Sequence, residues 1–163
     1  MAVVSNEERN LNYDNFIDRL DIELQRAKRY GRVISLCIIS IDGADKSKDL
    51  YPKSFMREFT RMVLEQARTV DISVTISSEE FGLILPETPF SNAMLAAERI
   101  RQAIAEHTFI DDDVERKICV SIGVAAYPEH SSETDELARR AMQAAANAKK
   151  KGNSVCSADE LKT

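Results

Sequence analysis

The sequence predicts an α+β domain in which one mostly antiparallel sheet is flanked by helices. In 72–76 apolar residues alternate with polar ones, and the alternation returns in 81–85 after a short polar turn, which is typical of an antiparallel hairpin. The segment 33–41 is almost continuously apolar and β-branched, as in a central strand that is buried on both faces. Apolar residues at helical spacing occur before and after these strands, and they predict helices that pack on the sheet.

The first half of the chain contains two predicted helices and three predicted strands. A helix begins near Tyr13 and ends at Gly31, because cationic residues and then a glycine are typical of a helix C-terminus. After the central strand, the polar residues 42–52 form a loop. A second helix over 53–68 has a continuous apolar side, and it leads into the hairpin, whose polar turn is Ser77–Glu80.

The second half predicts two more helices and two more strands. The third helix opens at Pro89 and Ser91, and an acidic loop over 108–113 follows it. The strand 118–127 contains Gly123, which indicates a bulge or a close contact with another backbone. Thr134 is the expected N-cap of a fourth helix, which ends in lysines and Gly152, and 154–157 is the last edge strand.

Composition limits the classes of function. With 163 residues the chain is one domain of ordinary size, and its net charge of −5 argues against a general nucleic-acid or membrane-surface binder. Cys37, Cys119 and Cys156 form no CxxC pair, which indicates reduced thiols of a cytoplasmic protein. No apolar run is long enough to insert into a membrane, and His107 and His130 are expected to be ordinary surface residues.

Four stretches resemble the GGDEF domain of bacterial diguanylate cyclases: SSEEFGLILPET, AERIRQAI, VSIGVAAYPEH and the run that ends in AKKKGN. The resemblance covers residues 12–157, so that 1–11 is expected to be a flexible lead-in and 158–163 a C-terminal tail. It implies a five-stranded sheet wrapped by helices, similar to the palm of nucleotide cyclases. It also implies an ancestral activity that joins two GTP molecules into cyclic di-GMP across a pair of domains.

The signature hairpin of that family departs from its pattern here. The two glycines of the family are Ser77 and Ser78, whose side chains are expected to crowd a bound GTP and to strain the turn. Glu79 and Glu80 match the two acidic residues, and the resemblance implies a metal-binding role for the first of them. Phosphoryl transfer with two metal ions needs several anionic oxygen ligands.

Other positions of the resemblance also depart from the family pattern. Ser40 stands where the family has a metal-binding aspartate, whereas Asp42 matches the second aspartate. Lys48 replaces a guanine-binding asparagine. Lys149 matches a phosphate-binding lysine, but Asn153 replaces an arginine. Because each lost contact to a transition state costs about 2–4 kcal/mol, the sequence predicts a catalytically inactive domain with no bound metal and no required cofactor.

A second feature of the family is retained. The pattern R-x-x-D before the hairpin, Arg68 to Asp71 here, and an arginine of the third helix, Arg99 here, resemble the site where the family binds cyclic di-GMP as an inhibitor. A guanidinium can bind guanine or phosphate through two parallel hydrogen bonds, and a carboxylate can accept from guanine N–H groups. Thr75 replaces an arginine that is usual in the family. The alternative is a helix-end cation paired with Asp71 for structural reasons only.

Several functions stay open at this point. The first is a cyclic di-GMP receptor that acts on a protein partner or an attached signalling domain. The second is a dimerisation or interaction module that binds no nucleotide, and the third is a weak diguanylate cyclase. GTP binding without turnover is disfavoured by the missing glycines and by Lys48. Each of these functions is compatible with pairing of two copies of the domain. In none of them is nucleic acid expected as a partner.

Overall fold

The computed structural model describes residues 6–42, 53–111 and 113–160, and there helices cover both faces of a five-stranded sheet. The helices are α1 (Asn6–Tyr30), α2 (Lys53–Glu65), α3 (Phe90–Glu106) and α4 (Thr134–Lys151), followed by a short 3₁₀ turn, Ala158–Glu160. The strands are β1 (Ile34–Ile41), β2 (Ile72–Thr75), β3 (Glu80–Pro86), β4 (Phe109–Asp111), β5 (Val114–Arg116), β6 (Val120–Tyr127) and β7 (Val155–Ser157).

The sheet has the strand order β2-β3-β1-β6-β7, with β1 in its centre. Every neighbouring pair is antiparallel except β6 and β7, which run parallel. The predicted fold class is therefore confirmed, and so is the hairpin formed by β2 and β3. The register places Ser40 of β1 opposite Glu80 of β3 and Ser121 of β6, which brings the end of the central strand next to the hairpin turn.

Two apolar clusters lie on opposite faces of the sheet. Helices α2 and α3 cover one face, where Phe55 and Phe59 are buried against the odd-numbered side chains of β1. Helices α1 and α4 cover the other face, where Phe16 and Leu20 are buried with the even-numbered ones. All eight residues of β1 are buried, as expected for a central strand that is covered on both faces.

Gly123 of β6 is a close-contact point, as predicted. A Cβ at this position would lie 2.2 Å from Ala141 O and 2.2 Å from Ala145 N, both in the backbone of α4. The buried face of α4 consists largely of alanines, so that this helix lies directly on the sheet. The C-terminal end of α4, with Lys149, therefore lies at the end of β1.

Some boundaries differ from the prediction. Helix α1 begins at Asn6, so residues 6–11 of the expected lead-in are helical, and Ala158–Glu160 of the expected tail form a 3₁₀ turn. Helix α2 ends at Glu65, three residues earlier than expected, and Arg68 therefore lies in the turn after it. Lys48 and most of the predicted loop 42–52 lie outside the described residues. Within the described residues, no helix combines the length and the apolar character needed to cross a membrane.

The segment 108–113 was expected to be a loop, and this is wrong for most of it. Strands β4 and β5 form a separate two-stranded ribbon, which is anchored by the buried Phe109. The ring of Phe109 lies 4.8 Å from that of Phe55 in α2. The acidic residues of this segment hid the signal of a very short strand, in which Phe109 is buried and Ile110 is exposed. Asp113 has φ 64° at the turn, a conformation that aspartate tolerates better than most residues.

The side chains of Thr134 and His130 also have roles that differ from the prediction. Thr134 is the first residue of α4 and not its N-cap, and its hydroxyl donates to Asp21 Oδ1 in α1 at 2.6 Å. His130 is buried, and its Nδ1 accepts a hydrogen bond from the backbone N–H of Ala126 at 2.8 Å. The Thr134 contact joins two helices, and the ring of His130 packs edge-on against that of Phe90 at 4.9 Å, contacts that local patterns could not reveal.

Candidate functional site

The three residues predicted to bind a ligand line one pocket. Arg68 and Asp71 come from the turn between α2 and β2, and Arg99 comes from α3. The pocket has a volume of about 350 Å³. Its remaining lining includes Leu83 and Leu85 of β3 and Asn92, Leu95 and Ala96 of α3. The packing of α3 on the sheet thus brings residue 99 next to residues 68 and 71, so that the three share one surface.

Arg68 is held by several acceptors at one end of its guanidinium group. The two N–H protons of its Nη2 are shared among three acceptors: Asp71 Oδ1 at 3.0 Å, the carbonyl oxygen of Pro86 at 2.7 Å, and the hydroxyl of Thr88. Its Nη1 makes no hydrogen bond within the described part of the chain. The side chain of Arg68 is 53% exposed. One edge of the guanidinium is therefore fixed by the protein, whereas the other edge can bind an anion or a base.

The carboxylate of Asp71 accepts hydrogen bonds from both the backbone and the guanidinium of Arg68. Its Oδ2 accepts from the backbone N–H of Arg68 at 2.7 Å, and its side chain is only 3% exposed. A carboxylate in this position closes the turn after α2 and orients the guanidinium. The geometry thus gives Asp71 a positioning role, and it leaves little of the carboxylate for the guanine contact that the sequence suggested.

Arg99 is the exposed cation on the α3 side of the pocket. Among the described residues, it makes no hydrogen bond or ion pair. Leu95 lies one helical turn earlier on α3 and is 62% exposed. An exposed guanidinium beside an apolar side chain can bind a ligand that combines negative charge with a flat ring system.

The turn between β2 and β3 lies in the polar segment Ser77–Glu80, which the sequence predicted to correspond to the signature hairpin. The backbone N–H groups of Ile76 and Ser77 donate to Glu80 O at 2.9 and 3.1 Å, and Ser77 Oγ accepts from the N–H of Glu79 at 3.2 Å. Neither Ser77 nor Ser78 has a positive φ. The expectation that these serines strain the turn is therefore wrong, because the turn is closed without left-handed residues.

The carboxylate of Asp42 accepts hydrogen bonds from three protein donors. Ser121 Oγ lies 2.8 Å from Oδ1, and the backbone N–H of Asn153 lies 2.7 Å from Oδ2. The thiol of Cys119 also donates to Oδ2, at 3.3 Å. Asn153 has φ 48°, and its side chain accepts from Arg101 Nη1 at 2.9 Å. Asp42 thus connects the end of β1 to β6 and to the C-terminal end of α4.

Lys149 forms the other connection at this edge of the sheet. Its Nζ donates to Ser40 Oγ at 3.0 Å and to the carbonyl oxygen of Ile41 at 3.2 Å. The Ser40 hydroxyl is neutral, and its oxygen already accepts a hydrogen bond from the Lys149 ammonium group. In the described region, no three His, Cys, Asp or Glu side chains come together in a way that could hold a metal ion. At this position the neutral Ser40 hydroxyl offers no anionic oxygen of the kind that holds metal ions between phosphates.

Cys37 and Cys119 are reduced thiols with raised pKa values. Burial, with a smaller contribution from the charge of Asp71, raises the pKa of Cys37 to about 12. Burial and the hydrogen bond to Asp42 raise the pKa of Cys119. Because the thiolate is the reactive form, neither cysteine is suited to nucleophilic chemistry at neutral pH.

Sequence reasoning missed Thr88 and the carbonyl of Pro86, which both contact Arg68. They lie 20 and 18 positions after it, and no local pattern connects them. It also missed Cys119 and Ser121 as donors to Asp42, although both lie in a strand that was predicted. The pairing of β1 with β6 brings these side chains to Asp42, and strand pairing is a property of the tertiary structure.

Comparisons with known proteins agree with this architecture. A family model described as the GGDEF domain of diguanylate cyclase matches residues 11–155. The response regulator PleD of Caulobacter vibrioides is 28% identical over 143 residues, which are 84% of this chain and 32% of that protein. Diguanylate cyclase DgcM of Escherichia coli K12 is 34% identical over 122 residues, 72% of this chain and 29% of that protein. The chain thus spans about a third of the length of these curated relatives.

Solved structures show the same fold. The GGDEF domain of DgcB from Caulobacter crescentus, in complex with c-di-GMP, superimposes with a TM-score of 0.75 at 24% identity, covering 90% of each chain. The active GGEEF domain of a diguanylate cyclase from Vibrio cholerae superimposes with a TM-score of 0.72 at 26% identity, covering 83% of this chain and 89% of that one. Since the family model covers almost the whole chain and the architecture is shared, the chain belongs to the GGDEF domain family of diguanylate cyclases.

Proposed function

We propose that this domain is a receptor for cyclic di-GMP that does not itself synthesise the dinucleotide. The observation that carries the proposal is the pocket in which the two arginines Arg68 and Arg99 lie with Asp71. Cyclic di-GMP presents phosphate oxygens and guanine edges, and both are groups that a guanidinium binds through parallel hydrogen bonds. The pocket volume of about 350 Å³ lies within the range of small-molecule sites.

The state of the two arginines supports binding of an anion. Arg68 has an unpartnered Nη1 beside a fixed Nη2, and Arg99 is exposed and makes no ion pair among the described residues. Of the charged groups that line the pocket, Asp71 is buried against Arg68 and Glu87 pairs with Arg32, so the Arg99 guanidinium is left to attract an anion. The DgcB domain, whose structure was solved with c-di-GMP, has the same fold.

The edge of the sheet near Ser40 and Asp42 supports the loss of catalysis. Lys149 and Ser40 bind each other, and Asp42 is occupied by Ser121, Cys119 and Asn153. Glu79 alone cannot replace the set of anionic ligands that holds metal ions between phosphates. The domain is therefore proposed to need no metal and no cofactor for its function.

Isothermal titration calorimetry with cyclic di-GMP tests the receptor function. We expect the wild type to bind, and we expect Arg68→Ala and Arg99→Ala to weaken the affinity by at least tenfold each, since each removes a charged contact of about 1.5–3 kcal/mol. Arg19→Ala is the matched control, because Arg19 is an exposed arginine of α1 on the other side of the sheet. Absence of heat with the wild type, or equal affinities for all four proteins, would reject the proposal.

One observation favours a second candidate, a module for dimerisation or protein interaction that binds no nucleotide. Arg68, Asp71, Pro86 and Thr88 bind each other and together fix the turn after α2. The R-x-x-D pattern therefore also has a purely structural explanation. In that case Arg68→Ala lowers the melting temperature, and cyclic di-GMP has no effect on the melting of either protein.

A weak cyclase activity is the third alternative. Incubation with GTP and Mg²⁺, followed by chromatography of the nucleotides, is expected to yield no cyclic di-GMP. Product that disappears in Glu79→Ala would contradict the inactive assignment. As a receptor the domain would act in the cytoplasm, where cyclic di-GMP is made, and would pass its bound state to a second copy, a protein partner or an attached domain.

A further inference from the structure

We propose that Thr88 is a positioning residue of the Arg68 pocket, which it prepares for a ligand by ordering the Arg68 guanidinium. Thr88 follows β3, is buried, and lines the pocket together with Arg68 and Arg99. This inference rests on the proposed function, because the ligand it concerns is cyclic di-GMP. It adds to the R-x-x-D pattern a residue that lies 20 positions away in the sequence.

The hydrogen bonds around Thr88 have a defined direction. The hydroxyl donates to the carbonyl oxygen of Pro86 at 3.0 Å, and its lone pair accepts from Arg68 Nη2. The same carbonyl oxygen accepts from Arg68 Nη2 at 2.7 Å. Because a guanidinium has no acceptor, the Thr88 hydroxyl accepts from Arg68 and donates its single proton to Pro86, so that the three groups bind one another.

Thr88 is itself fixed from the core of the sheet. Its carbonyl oxygen accepts from Ser35 Oγ of β1 at 2.7 Å, and both Thr88 and Ser35 are buried. The preceding residue, Glu87, has φ 53° and donates its backbone N–H to Val33 O at 3.0 Å. A left-handed glutamate persists only where its surroundings hold it, so the loop 86–88 is a firmly held element.

These contacts determine which part of the Arg68 guanidinium remains for a ligand. Asp71, Pro86 and Thr88 all bind Nη2, which leaves Nη1 as the free corner of the guanidinium. An arginine side chain loses rotamer freedom when a ligand immobilises it. A guanidinium that is already held in place does not incur that loss again at binding, and it presents its free corner in one orientation.

The test compares cyclic di-GMP affinities of three variants by calorimetry. Thr88→Val keeps the shape of the side chain but removes the hydroxyl, and we expect a tenfold loss of affinity, which corresponds to about 1.4 kcal/mol. Thr88→Ser restores the hydroxyl, and we expect an affinity within twofold of the wild type. Thr69→Val is the matched control, because Thr69 is exposed, lies next to Arg68 in sequence, and makes no hydrogen bond within the described region.

A double-mutant cycle separates positioning from a general effect on stability. In the Arg68→Ala background, Thr88→Val is expected to leave the remaining affinity unchanged, because the group that Thr88 orients is absent. Equal losses in both backgrounds would overturn the inference, and so would wild-type affinity of Thr88→Val. In both cases the receptor function would stand.

The role of Thr88 can also be tested without a ligand, in case the wild type does not bind cyclic di-GMP. Nuclear magnetic resonance of ¹⁵N-arginine-labelled protein reports solvent exchange of guanidinium protons. We expect the exchange of the Arg68 protons to accelerate at least tenfold in Thr88→Val, with no change for Arg99. Unchanged exchange at Arg68 would overturn the inference on Thr88, whereas failure of cyclic di-GMP to bind the wild type would overturn the proposed function.

Discussion

Gly123→Ala is the substitution for which the structure gives the sharpest expectation. The added Cβ would lie 2.2 Å from both Ala141 O and Ala145 N and 2.8 Å from Ala144 C, whereas ordinary van der Waals contact begins at 3.4 Å. All three atoms belong to the backbone of α4. Relief therefore requires the helix to move away from the sheet by about 1 Å, since no side chain can rotate out of the way.

We expect the substitution to lower the free energy of unfolding by about 3 kcal/mol, the upper end of the usual cost of overpacking. With a slope of about 2 kcal/mol per molar urea, the unfolding midpoint falls by about 1.5 M. The assay is urea unfolding followed by circular dichroism, with the slope checked for constancy. An unchanged slope indicates that the stability has changed and that the surface exposed on unfolding has not.

Gly82→Ala is the matched comparison. Its Cβ would meet the ring of Phe16, with the nearest atom at 2.6 Å, but a side-chain ring can tilt whereas a helix backbone cannot. We expect a loss of about 1–2 kcal/mol for this variant. If Gly123→Ala were as stable as Gly82→Ala or more stable, the conclusion that the α4 backbone rests directly on β6 would be refuted.

The remaining predictions concern three other parts of the molecule. Lys149→Met should lower the free energy of unfolding by about 1 kcal/mol through the lost hydrogen bonds at the end of β1, and added Mg²⁺ should not restore it, as thermal melting can show. At pH 8, Cys37 should not react with Ellman's reagent in the folded protein and Cys119 should react slowly, because burial raises both pKa values. The hydrogen bond from Thr134 lowers the pKa of Asp21, so it stabilises the folded protein above the ordinary pKa of aspartate and this contribution disappears as the pH falls through the lowered value. Thr134→Val should therefore raise the pKa of Asp21 in a nuclear magnetic resonance titration, and its stability should approach that of the wild type in acid; an unchanged pKa would contradict this.

Local patterns in the sequence were sufficient for much of the fold. The alternation in 72–85 predicted the hairpin, the apolar run 33–41 predicted the central strand, and Gly123 predicted a close contact. These features depend on periodicity and on the shape of one residue, both of which are local. The same approach failed for β4 and β5, where a single buried aromatic ring outweighs the acidic residues around it.

The sequence by itself determined the α+β class and the family of the chain, and it predicted Arg68, Asp71 and Arg99 as ligand-binding residues and Ser40 and Asp42 as positions of a former catalytic site. Only the tertiary structure decided what these side chains contact. Burial of Asp71 against Arg68, the bonds from Thr88 and Pro86, and the hydrogen bond from Lys149 to Ser40 join positions that are distant in the chain. Such contacts arise when strands pair and helices pack, and no periodicity in the sequence records them.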